Sequence, residues 1–281
     1  MVLLLYVDDI LLTGTSDSLL DHLVHFLSSQ FAMKQLGDLN YFLGIEASRT
    51  STKVLLTQKK YTLELLHHAH MTECSPCSTP VAKGPRVSIS DGTLLQDVSA
   101  YRTIVGKLQY LCLTRPDICF SVNYVSQFMH APTDVHLSLV KRLQRYLKET
   151  IGCGITLRKG DIKELRAYIN SDWGSCPETA RSTCGYAIFL GDSLISWSSK
   201  KQQTVSRSTA EAEYESLSVA TAELEWLSSL LSELHISLKL PITLYCDNIS
   251  AIYLTANPIS HSRAKHIKIH FHVVTELVAS G

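Results

Sequence analysis

Two adjacent carboxylates stand near the start of the chain, in the stretch "YVDDI". Asp8 and Asp9 lie between two apolar runs, Met1–Leu5 and Ile10–Leu12. Unpaired charges are costly to bury among apolar side chains, so this pair requires water, a polar turn or a cation. Carboxylate oxygens are ligands that Mg²⁺ prefers, and two ions held in this way can clamp a phosphoryl group during its displacement. The pair fits either a metal site or an ordinary polar turn, and these two residues alone do not separate the interpretations.

A second acidic pair is associated with a long helical pattern further along the chain. Apolar residues recur there at helical spacing and predict one buried face, formed by Leu217, Ala220, Leu224, Leu227, Leu231 and Leu234. Glu213 lies one helical turn before this stripe and on the same face, where a carboxylate needs a partner such as a metal ion or a base. Asp247 follows the strand "ITLYC" just before another helix. It therefore either binds a metal or caps that helix.

The elements that would position these carboxylates alternate between strands and helices. A hairpin ("LLLYV" and "ILLTG") precedes a helix near 16–31, and a second hairpin ("YFLGIEASRT" and "KVLLTQ") precedes a helix near 59–70. A helical block over 101–149 is interrupted at its two prolines. Short strands follow ("GITLRKG", "LRAYINS", "GYAIFLGDSLISWSSK"), then a helix near 208–235, one more strand and a final helix. This order predicts an α/β or α+β fold.

The composition is that of a folded protein without a dominant charge. The chain has 281 residues, 45% of them hydrophobic, with 26 basic and 26 acidic side chains. This length suffices for two domains, and the balanced charge excludes a protein that is basic overall. No run reaches the ~20 apolar residues of a membrane-spanning helix, so we expect no membrane partner. The eight cysteines contain one CxxC without a second pair, which favours reduced thiols in an intracellular protein, cytoplasmic or nuclear and not secreted.

Motifs occur in a consistent order over essentially the whole chain. They are "YVDDILLTG", "LGDLNYFLGIE", "CSTPV", "YRTIVGKLQYLCLTRPDICFSVNYVSQF", "RSTCGYAIFLGDSLISWSSKKQQTVSRSTAEAEY", "LYCDN" and "RAKHIKI". Together they resemble the reverse transcriptase and RNase H of copia-type LTR retrotransposon Pol polyproteins. The resemblance implies a palm remnant and thumb over 1–77, a linker over 78–99, a helical connection over 100–150 and an RNase H-like domain over 151–281. That last domain would have a mixed sheet with flanking helices.

For the hairpin pair, the resemblance implies a polymerase metal site. Asp8 and Asp9 would be two of three catalytic aspartates that bind Mg²⁺ or Mn²⁺. The third lies on an earlier strand in the family, and the present chain begins five residues before Tyr6. We therefore expect a truncated fragment whose polymerase activity is lost.

For the second pair, the resemblance implies an RNase H-like site. Glu213 and Asp247 would be catalytic metal ligands in cleavage of RNA within an RNA–DNA hybrid. The family reads Tyr-x-Asp-x-Asp-Trp on the first strand, whereas this chain reads "YINSDW" at 168–173. Asn170 thus stands where we expect the first carboxylate, and its amide offers a cation only a neutral oxygen. Asp172 lies on the same face of the strand and is either a substitute catalytic metal ligand or a surface turn residue.

The C-terminal tail departs from the family at a second position. Where the family reads Lys-His-Ile-Asp-Ile, this chain reads "KHIKI", so that Lys268 replaces an acidic residue close to the expected metals. His272 matches a second family histidine and would assist product release during catalysis. The alternative is that this His-rich tail is a solvated helix face. With Asn170, the charge reversal leads us to expect impaired RNase H activity.

Local basic groups are candidates for contact with nucleic acid. Their members are Lys141, Arg142 and Arg145 on one predicted helix, and Lys200, Lys201 and Arg207 at a strand-to-helix junction. Phosphate contacts of this kind give affinity that is independent of sequence and sensitive to salt. Each group could instead be a solvated face, and the resemblance favours the junction group as the hybrid-binding one.

The sequence therefore predicts a fragment of a retrotransposon reverse transcriptase/RNase H. Its expected partners are an RNA–DNA hybrid or primer–template and other retroelement proteins. The alternative is a co-opted, non-catalytic protein that binds nucleic acid or the element's own polyprotein. Salt-dependent hybrid binding without Mg²⁺-dependent cleavage would favour that alternative.

Overall fold

A computed structural model describes residues 1–256, which form three β-sheets and a set of helices. The first sheet is a hairpin of β1 (Val2–Tyr6) and β2 (Asp9–Thr13), followed by helix α1 (Asp17–Gln30). Tyr6 pairs with Asp9 across a tight turn that contains Asp8. The apolar side chains of β1 are exposed, because within residues 1–256 this sheet has only two strands. An isolated ribbon of this kind is marginally stable.

The second sheet joins distant parts of the chain. Its strands are β3 (Tyr41–Phe42), β4 (Ile45–Arg49), β5 (Lys53–Thr57) and β6 (Gly154–Arg158), in that spatial order. We expected β6 to join the C-terminal strands, and this expectation is wrong, since β6 pairs antiparallel with β5. The pairing sets Leu56 opposite Ile155. A strand partner so distant in the sequence cannot be recognised from the apolar pattern of either strand.

A helical block forms the largest core. Its helices are α2 (Lys59–His68), α3 (Val98–Leu111), α4 (Cys119–Ser126) and α5 (Asp134–Glu149). Breaks occur around both prolines, as predicted, and Thr133 caps α5. The buried residues from these helices include Leu66, Leu108, Val125 and Leu143. No helix within residues 1–256 is long and apolar enough to cross a membrane.

The third sheet carries the long helix. Its strands are β7 (Leu165–Asp172), β8 (Thr183–Leu190), β9 (Ser193–Lys201) and β10 (Thr243–Tyr245), in the order β10-β7-β8-β9. Strand β10 runs parallel to β7, while the other pairs are antiparallel. Helix α6 (Thr209–Glu233) packs on β7 and β8, and α7 (Ile249–Ala256) follows β10. The mixed α/β architecture predicted from the sequence is confirmed.

The buried face of α6 follows the predicted stripe almost to its end. The residues Leu217, Ala220, Leu224, Leu227 and Leu231 are buried against the sheet. Leu234 was predicted to extend the stripe, and this is wrong because the helix ends at Glu233 and Leu234 is 40% exposed. A side chain past the last helical residue no longer follows the helical period.

Candidate metal centre

The candidate centre lies at the carboxyl ends of two neighbouring parallel strands, β7 and β10. Tyr168 of β7 pairs with Tyr245, the last residue of β10. Asn170 and Asp247 each follow two residues after this pair, so the two strands lead both residues toward the same edge of the sheet. In β7 the side chains of Ala167 and Ile169 are buried, whereas that of Asn170 is exposed. This edge is where open α/β sheets commonly bind ligands.

Helix α6 delivers Glu213 to the same edge. Glu213 is only 5% exposed, in agreement with its predicted position on the inward face. Its Oε1 accepts a hydrogen bond of 2.8 Å from the Ser171 amide, while its Oε2 is buried and has no hydrogen-bond partner within residues 1–256. Burial raises the pKa of Glu213; the Ser171 amide lowers it and the nearby Asp247 carboxylate raises it. A buried carboxylate oxygen without a partner fits a cation.

Three potential ligands converge at this point. One ligand atom from each of Glu213, Cys246 and Asp247 lies within 4.8 Å of the other two. Within residues 1–256, this is the one group of three or more His, Cys, Asp or Glu side chains with such geometry. The sequence indicated Cys246 only as the last residue of the strand "ITLYC" and not as a ligand. Its position directly before Asp247 was the available signal.

Asp247 is not the cap of the following helix. The Asn248 side chain accepts a hydrogen bond of 3.0 Å from the Ala251 amide, which is the contact of an N-cap residue. The capping interpretation of Asp247 is therefore wrong. Its exposed carboxylate instead faces Glu213 and Cys246.

Asp172 lies in a different set of contacts. Its Oδ2 pairs with Arg86 at 2.8 Å and accepts a hydrogen bond of 2.6 Å from Ser175. Its Oδ1 accepts a short hydrogen bond from the Thr183 amide. The described structure thus places Asp172 against the segment before α3, outside the group formed around Glu213. Asn170 contributes its backbone oxygen to α6, where the Ser216 hydroxyl donates to it at 3.3 Å.

Comparison with known proteins identifies the family of this chain. A family model described as reverse transcriptase (RNA-dependent DNA polymerase) matches residues 1–83. The retrovirus-related Pol polyprotein from transposon RE1 of Arabidopsis thaliana is 49% identical over 279 residues, which cover 99% of this chain and 19% of the relative. This chain belongs to the copia-type retrotransposon Pol family.

Two further relatives of this Pol-family chain differ in length. The Pol polyprotein from transposon TNT 1-94 of Nicotiana tabacum is 36% identical over 288 residues, which cover 99% of the chain and 22% of the relative. An uncharacterized mitochondrial protein of Arabidopsis thaliana is 49% identical over 214 residues, which cover 76% of the chain and 89% of the relative. The chain thus spans about a fifth of the Pol polyproteins that it matches. No solved structure matches it at a significant level.

The hairpin aspartates of the Pol-family chain are separate from the Glu213 group. Asp8 and Asp9 are both exposed at the tip of the β1–β2 hairpin. Within residues 1–256, no further His, Cys, Asp or Glu joins them in a group of three potential ligands. The predicted residues Lys268 and His272 lie outside the described residues.

The contacts of the predicted basic residues separate those that bind other parts of the chain from those that are exposed. Arg142 donates to the Thr79 hydroxyl at 2.6 Å, and Arg145 donates to the Ser75 carbonyl at 2.7 Å. Lys201 contacts the Gln127 side-chain oxygen at 3.2 Å and the Cys176 sulfur at 2.7 Å. These three cations therefore hold parts of the chain together. The exposed members of the two groups are Lys141, Lys200 and Arg207.

Proposed function

We propose that the C-terminal part of this chain is an RNase H-type domain that binds RNA–DNA hybrids and cleaves them poorly. The observation that carries the proposal is the buried Glu213 carboxylate, one oxygen of which lacks a partner within residues 1–256, beside Asp247. Family membership implies nucleic-acid substrates and the use of divalent metal ions. When bound, Mg²⁺ or Mn²⁺ ions would activate water and stabilise charge on the scissile phosphate.

The chain's own residues account for the weak cleavage. Glu213 and Asp247 offer anionic oxygens, and the Ser171 amide holds Glu213 in place. Asn170 stands at the end of β7 with a neutral side chain, so one carboxylate fewer offsets the charge of the ions. Weaker binding of the ions would also leave the attacking water less well placed, and an error of ~1 Å in position can reduce rates by ~10²-fold. Asp172 does not compensate, because its oxygens bind Arg86, Ser175 and Thr183.

Hybrid binding would depend on the exposed basic residues at the junction of β9 and α6. Lys200 and Arg207 both precede the helix that carries Glu213, Lys200 in β9 and Arg207 in the segment before α6. Contacts from these side chains to backbone phosphates would hold the hybrid without regard to sequence, and added salt would weaken them. Lys141 lies on α5 and would supply a separate contact.

For the polymerase-related region, we propose that Asp8 and Asp9 do not support synthesis in this chain. They lie on an exposed two-stranded hairpin, and within residues 1–256 no third ligand joins them. The partners that we propose are a hybrid or primer–template and other proteins of the retroelement. All eight cysteines are free thiols, which supports an intracellular location, in the cytoplasm or the nucleus.

The test is Mg²⁺-dependent cleavage of an RNA–DNA hybrid by the 281-residue chain. We expect activity near background for the unmodified protein and an increase of up to ~10²-fold in Asn170→Asp, because the added carboxylate restores the charge at the site. Asn40→Asp adds the same charge at an exposed position in another part of the chain and should change nothing. Adding Glu213→Gln to Asn170→Asp should return activity to background.

Two results would contradict this proposal. Efficient cleavage by the unmodified chain that Glu213→Gln leaves intact would show that the reaction does not use this site. Salt-dependent hybrid binding without cleavage, even in Asn170→Asp, would favour the non-catalytic binding protein.

A further inference from the structure

The thiol of Cys246 occupies an unusual position for a core cysteine. It is the first residue after β10 and contacts the core between α6 and the sheet, next to Ile169 and Leu217 in the same cluster. Its Sγ lies within 4.8 Å of a carboxylate oxygen from both Glu213 and Asp247. The S–H group donates weakly to the Asn248 carbonyl at 3.8 Å. A sulfur donor thus adjoins two oxygen donors.

We propose that Cys246 is a metal ligand and that Glu213, Cys246 and Asp247 together bind a thiophilic divalent cation, Zn²⁺ or Cd²⁺, in preference to Mg²⁺. This inference rests on the cation site of the proposed function, but it assigns that site to a thiophilic cation in place of Mg²⁺. Thiolate ligands select Zn²⁺ and related ions, whereas Mg²⁺ prefers oxygen ligands in an octahedral arrangement. Asn170 strengthens this preference, since it supplies no carboxylate for a hard cation.

The separations of the three donors are compatible with a tetrahedral site. Zn–S and Zn–O distances of about 2.3 and 2.1 Å place tetrahedral donors roughly 3.4–3.6 Å apart. The three observed donors lie within 4.8 Å of one another, so each pair needs to approach by at most about 1.4 Å. Asp247 is exposed and can make this movement, while the Ser171 amide holds Glu213. The Oε2 of the buried Glu213, which has no hydrogen-bond partner in the described part of the chain, is a further indication of a ligand.

To bind the metal ion, Cys246 needs only to lose its thiol proton. The Cys246 S–H bond breaks, the proton passes to water, and the sulfur lone pair forms the bond to the metal without any oxidation or reduction. Three protein ligands leave a fourth tetrahedral position open, as in zinc sites that accept water or a substrate oxygen. In this chain, a phosphate oxygen of a bound hybrid has the chemistry to occupy that position.

The experiment is a titration of the reduced 281-residue chain with Cd²⁺ alone, monitored by the ultraviolet absorption of the cadmium–thiolate bond. Because the chain contains eight free cysteines, the informative quantity is the difference between variants. In a chain whose CxxC thiols are replaced (Cys74→Ser, Cys77→Ser), Cys246→Ser should weaken the tightest Cd²⁺ site by about tenfold or more, and Glu213→Gln should also weaken it. The matched control, Cys153→Ser, removes an exposed thiol outside the ligand group and should leave the tightest site unchanged.

A second measurement uses the unmodified protein and does not depend on the folding of a variant. Alkylation with iodoacetamide, followed by peptide mass analysis, reports the accessibility of each thiol. Zn²⁺ should protect Cys246 and leave Cys153 reactive, while Mg²⁺ at the same concentration should protect neither thiol.

Mn²⁺ binding to the same variants separates this inference from the proposed function. Loss of the tight Cd²⁺ site in Cys246→Ser, with Mn²⁺ binding lost only in Glu213→Gln, supports both. If the tight Cd²⁺ site survives Cys246→Ser, or if Zn²⁺ does not slow the alkylation of Cys246, then Cys246 is not a metal ligand. Either result would still be compatible with a cation site formed by the oxygen atoms of Glu213 and Asp247. Cd²⁺ and Mn²⁺ binding that both survive Glu213→Gln overturn the inference together with the cation site on which it rests.

Discussion

The ion pair between Arg86 and Asp172 leads to a prediction about the role of Asp172. We expect Asp172→Asn to lower the stability of the fold and to leave cation binding unchanged. The two side chains are 27% and 29% exposed and lie 2.8 Å apart. The Arg86 guanidinium also lies over the rings of Phe120 and Tyr124, at 4.7 and 5.1 Å from their centroids. The pair therefore connects the segment before α3 to the last residue of β7.

The expected magnitude follows from this partial burial. Exposed pairs contribute about 0.2–1 kcal/mol, and breaking a fully buried pair costs about 3–5 kcal/mol. For the Arg86–Asp172 pair we expect a coupling of about 1 kcal/mol, since solvent still screens both groups. Asparagine retains an oxygen for the Thr183 amide, so the loss is mainly that of the charge. The melting temperature should fall by about 2–4 °C.

The assay is a double-mutant cycle measured by urea unfolding. Arg86→Met removes the charge and keeps an apolar stem against the two aromatic rings. The coupling between Arg86→Met and Asp172→Asn should be about 1 kcal/mol. The matched control is the pair of Arg166 and Asp192, which lie 3.3 Å apart with Asp192 78% exposed. Its coupling should be close to zero because solvent screens it more fully.

Mn²⁺ binding to the same proteins decides between the two roles of Asp172. Asp172→Asn should retain the affinity of the unmodified chain, while Glu213→Gln should lose it. An Asp172→Asn variant with unchanged stability and no Mn²⁺ binding would refute the reasoning. In that case Asp172 would be the ligand from β7, and the contact with Arg86 would have no energetic role.

Two other predictions concern the N-terminal part of the chain. The 281-residue protein should not extend a primed template with Mg²⁺ or Mn²⁺, because no third ligand in residues 1–256 joins Asp8 and Asp9. Template-dependent nucleotide incorporation that disappears in Asp8→Asn would contradict this prediction. Limited proteolysis should cut within residues 1–38 before it cuts 45–57, because β1 and α1 expose their apolar residues whereas β5 pairs with β6. Equal protection of the two segments, measured by mass spectrometry of early fragments, would show that the hairpin is as well packed as the second sheet.

Much of the local structure follows from the sequence alone. Strand and helix periods are properties of short segments, so the two hairpins, the breaks at Pro116 and Pro132 and the buried face of α6 were all predictable. The inward position of Glu213 followed from the same period, because one helical turn separates it from Leu217. The motifs also sufficed to identify the family.

The tertiary structure decided which of these residues meet. Glu213 and Asp247 are 34 positions apart (247 − 213), and their approach depends on the parallel pairing of β7 with β10. From the sequence, Cys246 could not be distinguished from an ordinary core cysteine, because its proximity to Glu213 depends on how α6 packs over the ends of β7 and β10. The engagement of Asp172 with Arg86, across 86 positions of sequence, was equally hidden. Periodicity specifies the face on which a side chain lies, whereas its partner depends on how distant segments pack.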